Sequence, residues 1–179
     1  MKFFRGLLIT LLVLAAIVIG GGLLLPGAVH VERSTVIKAD AAAIFPYLTN
    51  YRRFNEWSPW APRDLNAEYT FAGPEEGVGA KMSWRSDKRE VGSGSQEIVA
   101  VTPNEKVVTA LDFGDMGTAE ARFDLAPESD GTKVTWSLDT NLPANPLARW
   151  MGLLLDSLIG TDYEEGLARL KAKVESGRA

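Results

Sequence analysis

Three hydrophobic patterns succeed one another along the chain. In the first, residues 6–25, Gly-Leu-Leu-Ile-Thr-Leu-Leu-Val-Leu-Ala-Ala-Ile-Val-Ile-Gly-Gly-Gly-Leu-Leu-Leu, carry no charge. At about 1.5 Å per residue, a helix of this length spans about 30 Å, the hydrocarbon thickness of a bilayer. Lys2 and Arg5 precede the run, and the positive-inside tendency keeps that end in the cytoplasm. The pattern predicts an uncleaved anchor. A cleaved secretory signal is the second reading, but its apolar core is usually about 7–15 residues long, and Pro26-Gly27-Ala28 is a poor cleavage site. A buried soluble helix is the third. Gly20-Gly21-Gly22 weakens the helix without ending it in lipid, where unpaired backbone groups are costly.

The second pattern has period two. Val29–Ile37 is rich in β-branched residues and reads as a first strand. Asp40 is placed to cap a short helix starting at Ala41, Pro46 conflicts with its continuation, and Leu48–Glu56 reads as a second short helix or turn, ended by Trp57-Ser-Pro-Trp60. From residue 66 apolar and polar positions alternate. Tyr69 and Phe71, then Met82 and Trp84, then Ala119, Ala121, Phe123 and Leu125, then Val134, Trp136 and Leu138 each share a face. Turns are signalled at Gly73–Gly79, Gly92–Ser95, Pro103–Lys106, Gly114–Gly117 and Ser129-Asp-Gly131. Six strands joined by short turns form an antiparallel meander with one apolar face to cover.

The third pattern has helical spacing. Asn145-Pro146 starts a helix with Leu147, Trp150, Met151, Leu154, Leu155 and Leu158 on or near one stripe. Gly160 is expected to interrupt it, and Thr161-Asp-Tyr-Glu164 to restart it as a capping box. Tyr163, Leu167, Leu170 and Val174 then fall on one face. This C-terminal region is expected to cover the sheet, giving an α+β domain over residues 29–179 behind an anchor and linker of residues 1–28.

Composition narrows the chemistry. Without Lys2 and Arg5, 17 basic side chains face 23 acidic ones, so the rest of the chain carries a net charge of about −6. Nucleic acid is therefore not an expected partner. The chain has no cysteine and one histidine, His30, which excludes thiolate catalysis and disulfides and leaves no expected transition-metal site or cofactor. Gly92-Ser-Gly-Ser95 lacks the Lys-Ser/Thr and following helix of a phosphate loop. Glu75-Glu76 falls in a turn and Glu164-Glu165 in a helix's first turn, so neither is an acid–base pair.

The order of elements, with Phe54-Asn-Glu-Trp-Ser-Pro-Trp60 and Gly160-Thr-Asp-Tyr-Glu-Glu-Gly-Leu-Ala-Arg-Leu-Lys171, resembles the START-like helix-grip superfamily. It is most similar to the bacterial SRPBCC branch, polyketide cyclase/dehydrase-like, over about residues 29–176. The resemblance implies a curved antiparallel sheet wrapped around a long C-terminal helix, preceded here by the apolar segment. It also implies a deep apolar cavity between sheet and helix, suited to a hydrophobic small molecule or lipid.

Candidate ligand-binding residues are Trp57 and Trp60 at the mouth, Trp84 and Trp136 at inward strand positions, and Tyr163 as the hydroxyl on the helix stripe. Each also reads as packed core; of the pair, Trp57 follows helical residues that must pack and is expected in the core, and Trp60, followed by the polar Ala61-Pro-Arg-Asp64 loop, at the rim. Asp112 and Arg122 are weaker candidates for polar groups in a cavity, Arg122 lying between Glu120 and Asp124 on what reads as a solvent face. No catalytic residue is assigned. Three functional classes stay open: a membrane-anchored binding domain facing the extracytoplasmic side, a cyclase or dehydratase that folds an apolar substrate, and a packed envelope interaction module.

Overall fold

The structure, a computed structural model, describes residues 2–177. The apolar run forms α1 (Lys2–Leu24), of which Phe4–Leu24 is long and apolar enough to cross a membrane. Most of its side chains lie open to the surroundings. The chain then enters β1 (Ala28–Ile37), followed by three single-turn helices, α2 (Ala41–Ile44), α3 (Pro46–Thr49) and α4 (Tyr51–Phe54). Asp40 stands at the N-cap of α2 but makes no side-chain capping bond. Pro46 is accommodated by starting α3, where its missing N–H is no loss. Asn50 caps α4, accepting from the amides of Arg52 and Arg53.

The meander follows as β2 (Glu68–Ala72), β3 (Lys81–Arg85), β4 (Ser93–Thr102), β5 (Lys106–Asp112), β6 (Thr118–Glu128) and β7 (Gly131–Asn141). β4 begins inside the expected Gly92–Ser95 turn, because Ser93–Ser95 continue the ladder with β3. All pairings are antiparallel and the order is β1-β7-β6-β5-β4-β3-β2, so β1 returns to pair with the last strand, Val31 opposite Leu138. The alternation read from the sequence is the alternation of burial: Phe123, Leu125, Val134, Trp136 and Leu138 face inward into one core with Ile37, Ile44, Leu48 and Trp57. The α+β helix-grip architecture is the expected one.

The C-terminal region differs from expectation in three respects. It is one helix, α5 (Pro146–Ser176), with no interruption at Gly160. Thr161 caps nothing; its hydroxyl donates to the Ser157 carbonyl one turn back. The reason for the glycine is tertiary: a Cβ at Gly160 would collide with the guanidinium of Arg33, which reaches over from β1. Arg33 Nε donates to Glu164 at 2.7 Å and its Nη1 to Asp156 at 3.0 Å, tying β1 to α5 on both sides of Gly160. The third difference concerns cover. Only the second half of α5 packs on the core, through Tyr163, Leu167, Leu170 and Val174, whereas Leu147, Trp150, Met151, Leu154 and Leu158 are exposed.

Candidate functional site: a cavity between sheet and helix

A cavity of about 270 Å³ lies between the inner face of the sheet, α3–α4 and α5, near the lower end of the size range of small-molecule sites. Its walls are mostly apolar: Leu48, Phe54, Met82, Leu111, Phe113, Ala121, Phe123, Leu138 and Ile159. Four of the five expected ligand contacts line it, namely Trp60, Trp84, Trp136 and Tyr163. Trp57 does not. It is 1% exposed and fills the core behind the wall, edge-on to Phe54, Phe123 and Trp136, with its Nε1 donating to the Tyr47 carbonyl at 3.0 Å.

The floor is built by stacking. The rings of Trp136 on β7 and Tyr163 on α5 lie parallel with centroids 3.8 Å apart, and Trp60 packs edge-on against both. Burial, reinforced by the neighbouring Asp162 charge, pushes the Tyr163 hydroxyl well above the usual phenol range, so it stays protonated. Trp60 is fixed at the rim because its Nε1 donates to Asp162 at 3.0 Å. Asp162 also accepts from Arg63 Nη1 at 3.2 Å, and Arg63 reaches Glu165 at 3.2 Å. On the opposite rim Trp84 Nε1 donates to the Val91 carbonyl at 3.2 Å, holding the residue 86–92 loop against the cavity.

Among the described residues, two residues of the lining carry a buried polar atom without a hydrogen-bond partner. Trp136 Nε1 and the Tyr51 hydroxyl are fully buried and unpaired, although buried polar groups are nearly always hydrogen-bonded. Thr109 stands beside the Tyr51 hydroxyl outside good hydrogen-bond geometry, and burial raises that phenol above its ordinary range. Gln96 lines the same wall. Sequence reasoning passed over Tyr51, which sits in a four-residue helix without periodicity. Gln96 and Thr109 carried a usable signal: each interrupts an inward apolar row, Gln96 beside Ile98 and Thr109 between Val107 and Leu111.

Asp112 and Arg122 lie outside the cavity. They face a shallow polar groove on the other side of the sheet with His30, Glu120 and Asp139. Arg122 pairs with Glu120 at 2.9 Å, Asp112 accepts from the Gly114 amide at 2.8 Å, and His30 Nδ1 stands 2.7 Å from Asp139. The Asp139 hydrogen bond raises the His30 pKa. Among the described residues no cluster of three or more His, Asp or Glu side chains could hold a metal ion.

Residues 28–175 match the family model for polyketide cyclase / dehydrase and lipid transport. The chain belongs to this SRPBCC-type family. Solved structures of the same fold include a protein of unknown function from Staphylococcus aureus (TM-score 0.65, 10% identity, covering 84% of this chain and 96% of that one). An uncharacterised protein from Rhizobium leguminosarum gives a TM-score of 0.62 at 14% identity, over 83% of this chain and 95% of that one. A protein from the dynemicin biosynthetic locus gives 0.54 at 15% identity, over 83% of this chain and 48% of that one. At such identities the likeness is one of fold. No curated protein matches the chain.

Proposed function

We propose that this family member is a membrane-tethered binding domain that holds a neutral, largely apolar molecule bearing a hydrogen-bond acceptor, such as a long-chain ketone or ester. In this reading residues 1–28 are the anchor and linker, with the N-terminus cytoplasmic, and residues 29–179 are the binding domain on the extracytoplasmic face. The observation that carries it is the pair of unpaired buried groups, Trp136 Nε1 and the Tyr51 hydroxyl, on two residues that line a mostly apolar cavity. An indole N–H can only donate, so it selects an acceptor. Unpaired polar groups in an apolar site cost free energy that a ligand carbonyl recovers. The lipid transport in the family's description agrees with such a ligand. The cyclase reading retains a single hydroxyl from its original candidates, Tyr163, and burial keeps that hydroxyl a donor, unable to take up a proton.

The test uses the full chain in amphipol, with Trp150→Phe to remove the exposed tryptophan outside the cavity; buried Trp57 remains as a constant background. A brominated long-chain methyl ketone is expected to quench Trp60 and Trp136 saturably. Tyr51→Phe should weaken that binding by about two- to tenfold while leaving a brominated alkane unaffected, the scale of one net hydrogen bond. It should also leave the empty protein as stable or more so, since it removes an unpaired hydroxyl. Absence of saturable quenching sinks the binding function. Equal affinities in wild type and Tyr51→Phe sink the acceptor assignment.

A further inference from the structure

The exposed half of α5 calls for a covering surface. Leu147, Met151, Leu154 and Leu158, spaced by four, three and four residues, are 52–66% exposed on one stripe, with Trp150 and Leu153 beside them. The only charged side chains in this half, Arg149 and Asp156, are both engaged elsewhere. Arg149 Nη1 donates to the carbonyls of Leu23 and Leu25 at 3.0 and 2.9 Å, and Asp156 is held by Arg33. What remains is a continuous apolar surface of a kind that water-facing proteins seldom leave open.

Its neighbour identifies its occupant. The start of α5 is fastened to the last turns of α1, the membrane-length helix. Trp150 Nε1 donates to the Val18 carbonyl at 2.9 Å, and Arg149 satisfies end carbonyls that a helix C-terminus leaves unpaired. The contact is close because Gly21 and Gly22 have no side chains. A Cβ at Gly21 would stand 2.9 Å from the Trp150 ring, and one at Gly22 would stand 2.7 Å from Pro146. Val18 lies six residues before the end of α1, about 9 Å along the helix axis. With α1 across the bilayer and its end at the boundary between headgroups and acyl chains, that carbonyl and the indole bonded to it sit about 9 Å below the boundary, within the roughly 5–10 Å to which interfacial amphipathic helices bury their apolar face.

We propose that residues 146–158 of α5 are a lipid-embedded interfacial helix, buried by their Leu147-Met151-Leu154-Leu158 stripe in the outer leaflet beside α1. The inference rests on the anchor reading of α1 and extends it. The domain is then held at one height and one orientation instead of swinging on its linker. Ile159, one residue beyond the stripe, is already part of the cavity wall, so the same helix joins the bilayer surface to the binding site.

The chain's lack of cysteine makes the test direct, since any introduced thiol is unique. The full chain with Leu147→Cys, Met151→Cys, Leu154→Cys, Leu158→Cys, Leu12→Cys or Glu128→Cys is labelled with an environment-sensitive dye. Each variant is then reconstituted into phosphatidylcholine/phosphatidylglycerol vesicles with and without brominated acyl chains. Labels on the α5 stripe and at position 12 are expected to be quenched about twofold or more by brominated lipid, and the label at 128 to stay in water. Quenching at 12 with none along α5 overturns the inference and leaves the anchor standing. Quenching at neither overturns both. Protection along α5 that depends on protein concentration and not on brominated lipid means that a second copy of the chain covers the stripe, and also overturns it.

Discussion

The two halves of α5 have similar apolar patterns and opposite surroundings. Tyr163, Leu167, Leu170 and Val174 lie against the sheet, and Leu167 is 2% exposed. Leu147, Met151, Leu154 and Leu158 repeat the same spacing a few turns earlier and face outward, with Leu154 at 52%. Both stripes satisfy the condition for an amphipathic helix, but that condition says only that a face is apolar and is silent about what it meets. The partner of the second half is written in the sheet, where inward rows from β6 and β7 supply Phe123, Trp136 and Leu138. The partner of the first half is α1, and beyond α1 whatever surrounds it.

The sharpest way to break this comparison is to place the same charge in each half. Leu167→Asp leaves an unpaired carboxylate in the core and is expected to cost about 3–5 kcal/mol. Leu154→Asp, on an open face, should cost less than about 1 kcal/mol in detergent, where no bilayer is lost. Lys171→Asp, off the buried stripe, belongs with the mild class, although it loses the 2.9 Å bond from Lys171 Nζ to the Val36 carbonyl. Urea midpoints of the three variants decide the matter. Equal losses at 154 and 167 would mean that the first half packs as tightly as the second.

The next effect in size separates core from cavity wall along the face that buried α5 covers. Trp57→Ala removes a ring packed on all sides and should cost about 3–5 kcal/mol. Trp60→Ala removes a half-buried rim residue whose indole is held by Asp162, and about 1–2 kcal/mol is expected together with weaker capture of the ketone probe. A Trp60→Ala loss as large as that of Trp57→Ala, with probe affinity unchanged in the folded fraction, would remove Trp60 from the site.

How much of this was legible beforehand follows from the range of the forces involved. The strands were legible because alternation and turn chemistry are local, and Val134, Trp136 and Leu138 need only a covered face to be read correctly. The continuity of α5 was not. A glycine costs a helix about 1 kcal/mol, and Thr161-Asp-Tyr-Glu164 has the composition of a cap, so local rules favour a break. The contact that overrides them comes from Arg33, more than a hundred residues away. The aromatic lining was legible as inward positions, and it was the flanking residues, not the spacing, that set Trp57 after packing helical residues apart from Trp60 before the polar Ala61-Pro-Arg-Asp64 loop. The unpaired Tyr51 hydroxyl was not legible: its significance lies in a missing partner, and partners are set by tertiary packing.

Arg33 also supplies the smallest and most specific test, because it bridges the two halves through Asp156 and Glu164. The guanidinium hydrogen bond holds the Asp156 carboxyl below its ordinary pKa of 3.8. A depressed folded-state pKa means that the unfolded chain binds the proton more readily. The pair therefore contributes stability above the unfolded pKa and loses it as pH falls through the folded value. Asp156 is largely exposed, so solvent and salt screen the contribution to a small one. In Arg33→Gln the Asp156 titration, followed by carboxyl NMR, should return to the ordinary range. The stability gap between wild type and variant should be widest near neutral pH, should close below about pH 3 and should shrink in high salt. A gap that persists unchanged at low pH would assign Arg33's role to the packing of its stem over Gly160, and the two halves of α5 would be joined by shape instead of charge.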